Sequence, residues 1–207
     1  NGRDPKLFKI DYAVRAKLRS ELKYSENDLV WVYTGSLGPA YSWNQLLEIF
    51  RFFISKAESV KLLVLTRNSS YLNDKIPEEL SERIQILSTD YSNIPDYLNV
   101  GDLGISLREP SPSLAGLFPI KLGEYLLTGL PVFASIQVGD TLEWKEKSKG
   151  IIGVDLSRKD FADHAYQDWK NMGLINPIEI RNYALQEFSL ENSVMDYLSA
   201  LESLKNI

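Results

Sequence analysis

Residues 29–66 read LVWVYTGSLGPAYSWNQLLEIFRFFISKAESVKLLVLT, which predicts a strand, a helix and a second strand in that order. The first six residues are rich in β-branched and aromatic side chains, and the run stops at Gly35. From Trp43 to Lys56, apolar residues recur at 43, 46, 47, 50, 53 and 54, which is helical spacing. Residues 60–66 form a second near-continuous apolar run, typical of a parallel strand that is covered on both faces.

The same alternation of short apolar runs and amphipathic segments continues as far as residue 154. Further strands are predicted at 84–87, 103–107, 131–134 and 151–154, and further helices at 94–100, 119–128 and 141–148. Strands that alternate with helices in this way predict an α/β fold with a Rossmann-like, doubly wound parallel sheet of about six strands. Because crossovers in such sheets are right-handed, helices should cover both faces.

Only helical patterns follow residue 157. Helices are predicted at 160–172, at 176–188 and from Ser189 onward, with Ser189 as the N-cap and Asn192 three residues into the last helix. The predicted organisation is therefore a linker and leading helix over 1–28, a Rossmann-like domain over 29–157, and C-terminal helices over 158–207.

The composition argues against several classes of protein. The 207 residues carry a net charge of -5 and no basic stripe, which argues against a nucleic-acid partner. The absence of cysteine excludes disulfides, thiolate metal sites and thiol catalysis, and it fits a reducing, cytoplasmic compartment. No run of about 18 apolar residues occurs, so no transmembrane segment is predicted in this chain.

A ligand site is predicted where a loop rich in Pro, Ser and Gly runs into the helix at 119–128. Ligands of open parallel sheets bind at the carboxyl ends of the strands, and unpaired N–H groups at a helix start favour phosphate. Lys121 and Glu124 would suit a nucleotide diphosphate, the first as a cation for phosphate and the second as a carboxylate for sugar hydroxyls. The alternative is an ordinary surface ion pair between these two residues.

The segment that begins at Pro119 resembles the signature PxKxxEYLxxGxPV of family-four-like retaining glycosyltransferases, which have the GT-B architecture and build polysaccharides. The matching residues are Pro119, Lys121, Glu124, Tyr125, Leu126, Gly129, Pro131 and Val132. This resemblance implies that the chain is the C-terminal, donor-binding half of such an enzyme. It also implies that Glu124 hydrogen-bonds the ribose of a nucleotide-diphospho-sugar.

Shorter motifs elsewhere in the chain follow the order of the same family. Asn1, Gly2, Asp4 and Phe8 resemble the NGxDxxxF linker that opens the C-terminal half. Further resemblances cover residues 15–22, 33–37, 94–105 and 181–189. The family resemblance therefore implies an N-terminal domain of the same chain, which would supply the acceptor site and most catalytic groups. This fragment alone should then be inactive, and its own catalytic residues are unknown.

The sequence departs from the family pattern at the positions that hold the sugar and the diphosphate. Many relatives carry a Glu where this chain has Gly116, and an Arg where it has Ser36. A nearby Lys of the relatives is replaced by Tyr41 or Ser42. We therefore expect a weaker diphosphate clamp or one built from other residues.

The candidates for the diphosphate clamp are Lys121, Arg108 and Arg67. Arg108 follows the fourth strand, where a phosphate-facing side chain belongs, but it could equally pair with Glu109 or another carboxylate. Asp140 either faces the cleft or caps the following helix. The predicted donor-binding residues are Gly35, Ser36, Arg108, Gly116, Pro119, Ile120, Lys121 and Glu124.

No metal site and no cofactor are expected, and the predicted donor is a UDP-sugar. The sequence has no Asp-x-Asp motif, and its one histidine, His164, is expected at the surface. A helix start with basic residues would hold the diphosphate in place of a metal.

The predicted activity is glycosyl transfer of the hexosyl type with retention, in polysaccharide or glycolipid assembly. The full-length protein would act in the cytoplasm, at the inner face of the membrane. Two alternatives stay open. One is a degenerate, non-catalytic GT-B binding module, which the departures at Gly116 and Ser36 favour. The other is a nucleotide-sugar epimerase, which would need acid–base residues in this half.

Overall fold

The structure is a computed structural model that describes residues 2–204. The strands are β1 (Leu29–Thr34), β2 (Val60–Leu65), β3 (Ile84–Leu87), β4 (Leu103–Ser106), β5 (Val132–Ser135) and β6 (Ile151–Val154). They form one six-stranded sheet in the order β3-β2-β1-β4-β5-β6, and every pairing is parallel. The Rossmann-like α/β prediction is confirmed.

The helices that connect and follow the strands lie close to their predicted positions. They are α1 (Tyr12–Glu21), α2 (Trp43–Ser55), α3 (Ile94–Leu98), α4 (Ile120–Leu127), α5 (Thr141–Lys147), α6 (Phe161–Met172), α7 (Pro177–Glu187) and α8 (Leu190–Leu204). Helix α1 begins at Tyr12, three residues before the segment 15–22 that resembles the family pattern. The reason is that the Asp11 side chain caps it by accepting from the Val14 N–H at 3.1 Å.

The core has two layers, one on each face of the sheet. In β1, Trp31 and Tyr33 point to the layer formed with α2 and α6, whereas Val30 and Val32 point to the layer formed with α4 and α7. This alternation follows from the two-residue period of a strand. Because both faces are covered, β1 reads as a continuous apolar run in the sequence.

The first residues of the chain contact the segment between α7 and α8. The N–H of Arg3 donates to the Phe188 carbonyl at 2.8 Å, and the N–H of Leu190 donates to the Arg3 carbonyl at 2.9 Å. Ser189 caps α8 as predicted, because the Asn192 N–H donates to its hydroxyl at 3.2 Å. Asn1 of the linker motif and residues 205–207 lie outside the described residues.

Between residues 2 and 204, no helix combines the length and the apolarity needed to cross a membrane. The boundaries after residues 28 and 157 stay a prediction, because α1 and α6 pack against the same α/β body.

Candidate functional site

A cleft of about 670 Å³ opens at the carboxyl ends of β1, β2 and β4. The strand order reverses between β1 and β4, which pair directly although β2 and β3 separate them along the chain. The connections on either side of such a reversal leave in opposite directions, which leaves a crevice between them. The lining residues are Thr34, Gly35, Ser36, Tyr41, Leu65, Thr66, Arg67, Asn68, Thr89, Tyr91, Ile94, Ser106, Arg108, Phe118, Pro119, Ile120, Lys121 and Glu124.

All of the predicted donor-binding residues except Gly116 line this one cleft. Gly116 ends a short 3₁₀ turn, Pro112–Gly116, and is exposed. Arg67 and Tyr41 line the cleft as well. Asp140 occupies the N-cap position of α5, but its side chain makes no capping hydrogen bond and it is not a lining residue.

The start of α4 faces the cleft through Pro119, Ile120 and Lys121. Pro119 is the N-cap of α4 rather than a residue of its first turn, and no side chain caps this helix end. N–H groups and the positive end of the helix dipole at such a start favour an anion. Across the cleft, β1 ends at Thr34 and the chain turns at Gly35, whose φ of +106° suits glycine.

Glu124 is buried one turn into α4, and two donors meet at its Oε1. The Arg3 Nε donates to this oxygen at 3.1 Å, and the Tyr91 hydroxyl donates to it at 2.8 Å. Burial raises the pKa of the Glu124 carboxyl, while the hydrogen bond from Tyr91 and the charge of Arg3 oppose that rise. The ion pair of Glu124 is with Arg3, so the alternative of a surface pair with Lys121 is wrong.

Lys121 and Arg108 are held over tyrosine rings. The Lys121 Nζ lies 4.2 Å from the ring centre of Tyr33 and 5.5 Å from that of Tyr41. The guanidinium carbon of Arg108 lies 4.6 Å from the centre of Tyr41. Burial, with the nearby charge of Arg108, lowers the pKa of Lys121 to about 7. Both cations therefore lie within cation–π distance of the Tyr41 ring.

The charges of the cleft oppose the charge of the whole protein. The charged lining residues are Arg67, Arg108, Lys121 and Glu124, although the protein has a net charge of -5. Arg67 is exposed and pairs with Asp90 at 3.4 Å, whereas no ion pair reaches Arg108 or Lys121 from any residue between 2 and 204. Arg108, together with Lys121 in its protonated form, can therefore attract an anionic ligand.

Sequence reasoning missed three residues that shape the cleft, namely Asn68, Tyr91 and Arg3. The amide of Asn68 bonds both the N–H and the carbonyl of Leu37, at 3.0 and 2.8 Å, and so fixes the loop after β1. The sequence could have indicated Asn68 as a cleft residue, because it lies shortly after β2 and the loops that bind ligands follow the carboxyl ends of strands. Nothing in the sequence pairs Arg3 with Glu124, since 121 positions separate them.

Residues considered for other roles lie outside the cleft. His164 is exposed on α6 and pairs with Asp160 at 3.2 Å, as expected for a surface residue. Among residues 2–204, no group of three or more His, Asp or Glu side chains could hold a metal ion. Trp31, Trp43 and Trp144 are buried in the core.

A second cavity, of about 690 Å³, lies at the opposite edge of the sheet, where the strands begin. Its charged lining consists of four carboxylates, Glu26, Asp28, Glu58 and Asp102, and two cations, Arg15 and Lys170. An excess of carboxylates repels phosphate, so the carboxyl-edge cleft is the better site for a diphosphate although the two volumes are similar.

No family model matches the sequence, and no curated protein matches it either. Solved structures do match the fold. HepE of Anabaena, determined in complex with UDP and glucose, superposes with a TM-score of 0.75 at 18% identity, over 100% of this chain and 56% of the HepE chain. A glycosyltransferase from Rickettsia africae gives a TM-score of 0.72 at 15% identity, over 100% of this chain and 57% of that chain.

One match is itself a single domain. The C-terminal domain of LpcC, a group 1 family glycosyl transferase from Francisella tularensis, gives a TM-score of 0.65 at 12% identity, over 91% of this chain and 100% of that domain. This chain spans little more than half of the HepE and Rickettsia chains, and at these identities the likeness concerns the fold. The chain therefore has the fold of the C-terminal, Rossmann-like domain of GT-B glycosyltransferases.

Proposed function

We propose that this chain is the donor-binding half of a family-four-like retaining glycosyltransferase that uses a UDP-sugar. The observation that carries the proposal is the meeting of Glu124, Lys121, Arg108 and the uncapped start of α4 in one cleft at the carboxyl edge of the sheet. The UDP and glucose bound by HepE, which shares the fold, support the choice of donor.

Each part of the cleft has a role in this proposal. Glu124 accepts hydrogen bonds from the ribose hydroxyls, and the start of α4 with Lys121 and Arg108 holds the diphosphate. Gly35, Ser36, Pro119 and Ile120 form the walls on either side, while Gly116 leaves space where relatives hold the sugar with a glutamate. A glycine there makes no side-chain contact, so other residues must select the sugar.

The chemistry would be transfer of a hexosyl group to a polysaccharide or glycolipid acceptor. The bond between the anomeric carbon and the diphosphate oxygen breaks, and a bond from the acceptor oxygen to the same carbon forms with retention. The proton of the acceptor hydroxyl passes to the departing diphosphate. Negative charge then grows on the departing diphosphate. Fixed positive groups aimed at that charge stabilise the transition state, and the α4 start with its two cations is suited to this task.

The acceptor site would lie in an N-terminal domain of the same chain, since this chain spans 56% of the HepE length. The last helix, α8, offers a surface for that domain, because an apolar face of α8 is exposed. Its residues are Leu190, Val194, Tyr197, Leu198, Leu201 and Leu204, each at least 48% exposed. Covering such a face removes apolar surface from water. The whole enzyme would act in the cytoplasm, at the inner face of the membrane.

A non-catalytic GT-B binding module is the second candidate. The exposed glycine at position 116 and the serine at position 36 favour it, because they remove groups with which relatives hold the sugar and the diphosphate. Such a module would keep nucleotide binding but not transfer.

The role of Glu124 can be tested by calorimetric titration of the Glu124→Ala variant with UDP. We expect binding to weaken by about 1–3 kcal/mol, because a buried carboxylate that accepts from ribose hydroxyls is lost. The matched control is Glu79→Ala, which removes an exposed carboxylate paired with Arg51 outside the cleft. An unchanged UDP affinity in folded Glu124→Ala protein would remove this residue from the donor site.

A further inference from the structure

We propose that Arg3 is a positioning residue of the donor site, which holds the Glu124 carboxylate ionised and oriented for the ribose. The inference rests on the proposed function, because it deepens the role given there to Glu124. Arg3 itself is not a lining residue of the cleft, whereas Glu124 is. Arg3 would therefore act through the carboxylate rather than on the ligand.

The contact between the two side chains is direct and sheltered. The Arg3 Nε lies 3.1 Å from the Glu124 Oε1, and the side chains are 23% and 7% exposed. The hydroxyl of Tyr91 donates to the same oxygen at 2.8 Å. No residue from 2 to 204 donates a hydrogen bond to the Oε2 atom, so this oxygen can accept from a ligand. One carboxylate oxygen is thus used for anchoring and the other is left for recognition.

The backbone of Arg3 is fixed, which keeps its side chain within reach of Glu124. Hydrogen bonds on both sides of Arg3 tie it to Phe188 and Leu190. A Cβ added to the neighbouring Gly2 would lie 2.3 Å from the Ser189 carbonyl oxygen, so the segment packs directly on the chain between α7 and α8. The guanidinium is also held locally, because the Arg3 Nη1 donates to the Gly2 carbonyl at 3.0 Å.

The same segment supports the second donor. The ring of Phe8, which is fully buried, meets the Tyr91 ring edge-on at a centre-to-centre distance of 6.2 Å. Residues 2–8 therefore place Arg3 against the carboxylate and brace the tyrosine that shares it. Residues 2–8, which resemble the family's linker motif, thus supply the charged partner of the Glu124 carboxylate.

The electrostatics give Arg3 a definite task. Burial favours the neutral carboxyl of Glu124, and a neutral carboxyl would donate a proton where the ribose needs an acceptor. The positive charge of Arg3 opposes this effect, so its loss should raise the pKa of Glu124 further. As the pH is lowered, Glu124 is protonated and ribonucleotide binding is lost. In a variant without Arg3 this loss should begin at a higher pH than in the unaltered protein.

The test compares UDP with 2′,3′-dideoxyuridine diphosphate by calorimetric titration of Arg3→Met and Arg3→Lys. We expect Arg3→Met to lose about tenfold in affinity for UDP, the size of one charged hydrogen bond, and to change little for the dideoxy analogue. Arg3→Lys should recover part of the loss because it keeps the charge. The control Arg51→Met removes an exposed arginine outside the cleft and should bind both ligands normally.

Two results would overturn the inference. One is an Arg3→Met variant that binds UDP as the unaltered protein does while Glu124→Ala binds it weakly. The other is an equal loss for UDP and the dideoxy analogue, which indicates general damage. If Glu124→Ala itself leaves UDP affinity unchanged, the donor site is wrongly assigned and this inference falls with it. Should Arg3→Met fail to fold in a thermal melt, Arg3→Lys decides the question: it should lose some affinity for UDP and little for the dideoxy analogue, and an equal loss for both would contradict the inference.

Discussion

Among the single residues of the cleft, Lys121 has a charge that changes near neutral pH. Two tyrosine rings and Arg108 surround its ammonium group, and burial lowers its pKa to about 7. A diphosphate placed beside it would raise that pKa again, because an opposite charge favours the protonated form. Donor binding should therefore be coupled to the uptake of a proton by Lys121.

This coupling predicts the pH dependence of UDP binding. Below about pH 7 Lys121 is already protonated, whereas above it binding must first charge the amine. The affinity for UDP should be about tenfold weaker at about pH 8 than at about pH 6, if the diphosphate raises the pKa by about two units. Calorimetry in buffers of different ionisation enthalpy should also show proton uptake at about pH 8.

The Lys121→Met variant is the control for this effect. At about pH 6 the variant should bind UDP more weakly than the unaltered protein does, while its affinity for uridine should change little. The pH dependence that remains should be only the one that arises from ionisation of the UDP phosphates. Equal losses for UDP and uridine, or an unaltered pH profile, would contradict a phosphate role for Lys121.

The residues differ in how far the sequence could predict them. Lys121 and Glu124 share one helix with a recognisable pattern, so their common location followed from helical spacing. Arg3 and Tyr91 reach Glu124 only through tertiary folding, from 121 and 33 positions away. No local pattern specifies such a contact, so these residues were missed.

Among the elements, α4 matters most for the cleft, and its position depends on Tyr125. The Tyr125 hydroxyl accepts a hydrogen bond from the Thr34 N–H at 3.0 Å and shares another with the Thr34 Oγ1 at 3.0 Å. Its ring packs so closely on β4 that a Cβ added to Gly104 would lie 2.6 Å from the ring. A glycine in β4 thus allows α4 to lie close to the sheet beside the end of β1.

This packing predicts that Gly104→Ala destabilises the protein. The buried ring cannot move away without breaking its bonds to Thr34, so we expect the free energy of unfolding to fall by about 1–3 kcal/mol. Denaturant unfolding measures this change. The matched control is Gly116→Ala, where the added methyl group meets no atom within 4 Å. A Gly104→Ala protein as stable as Gly116→Ala would show that α4 is not held in this way.

The elements themselves were predictable because each apolar run is short and bounded. The runs at 29–34 and 84–87 match β1 and β3 to the residue. The first and last residues of the helices were predicted less accurately, because the hydrogen bonds of single side chains determine where a helix begins or ends. Asp11 extends α1, and α3 ends at Leu98 instead of at the predicted residue 100.

At the scale of the whole molecule, charge distinguishes the carboxyl-edge cleft from the amino-edge cavity. The carboxyl-edge cleft has three cations and one carboxylate among its lining residues, whereas the amino-edge cavity has four carboxylates and two cations. The alternation of strands and helices predicted the first site, because ligands of open α/β sheets bind at the carboxyl edge. It could not predict the second cavity, which α6, α7 and the chain before β1 enclose together.

The most direct measurement of where a donor binds is the titration of isotope-labelled protein with UDP, followed by NMR. We predict that the largest backbone amide shifts fall on Gly35, Ser36, Ile120 and Lys121, at the end of β1 and the start of α4. Saturable shifts confined to Gly101, Gly129 and Gly173 at the amino-edge cavity, or no saturable shift at all, would contradict the account.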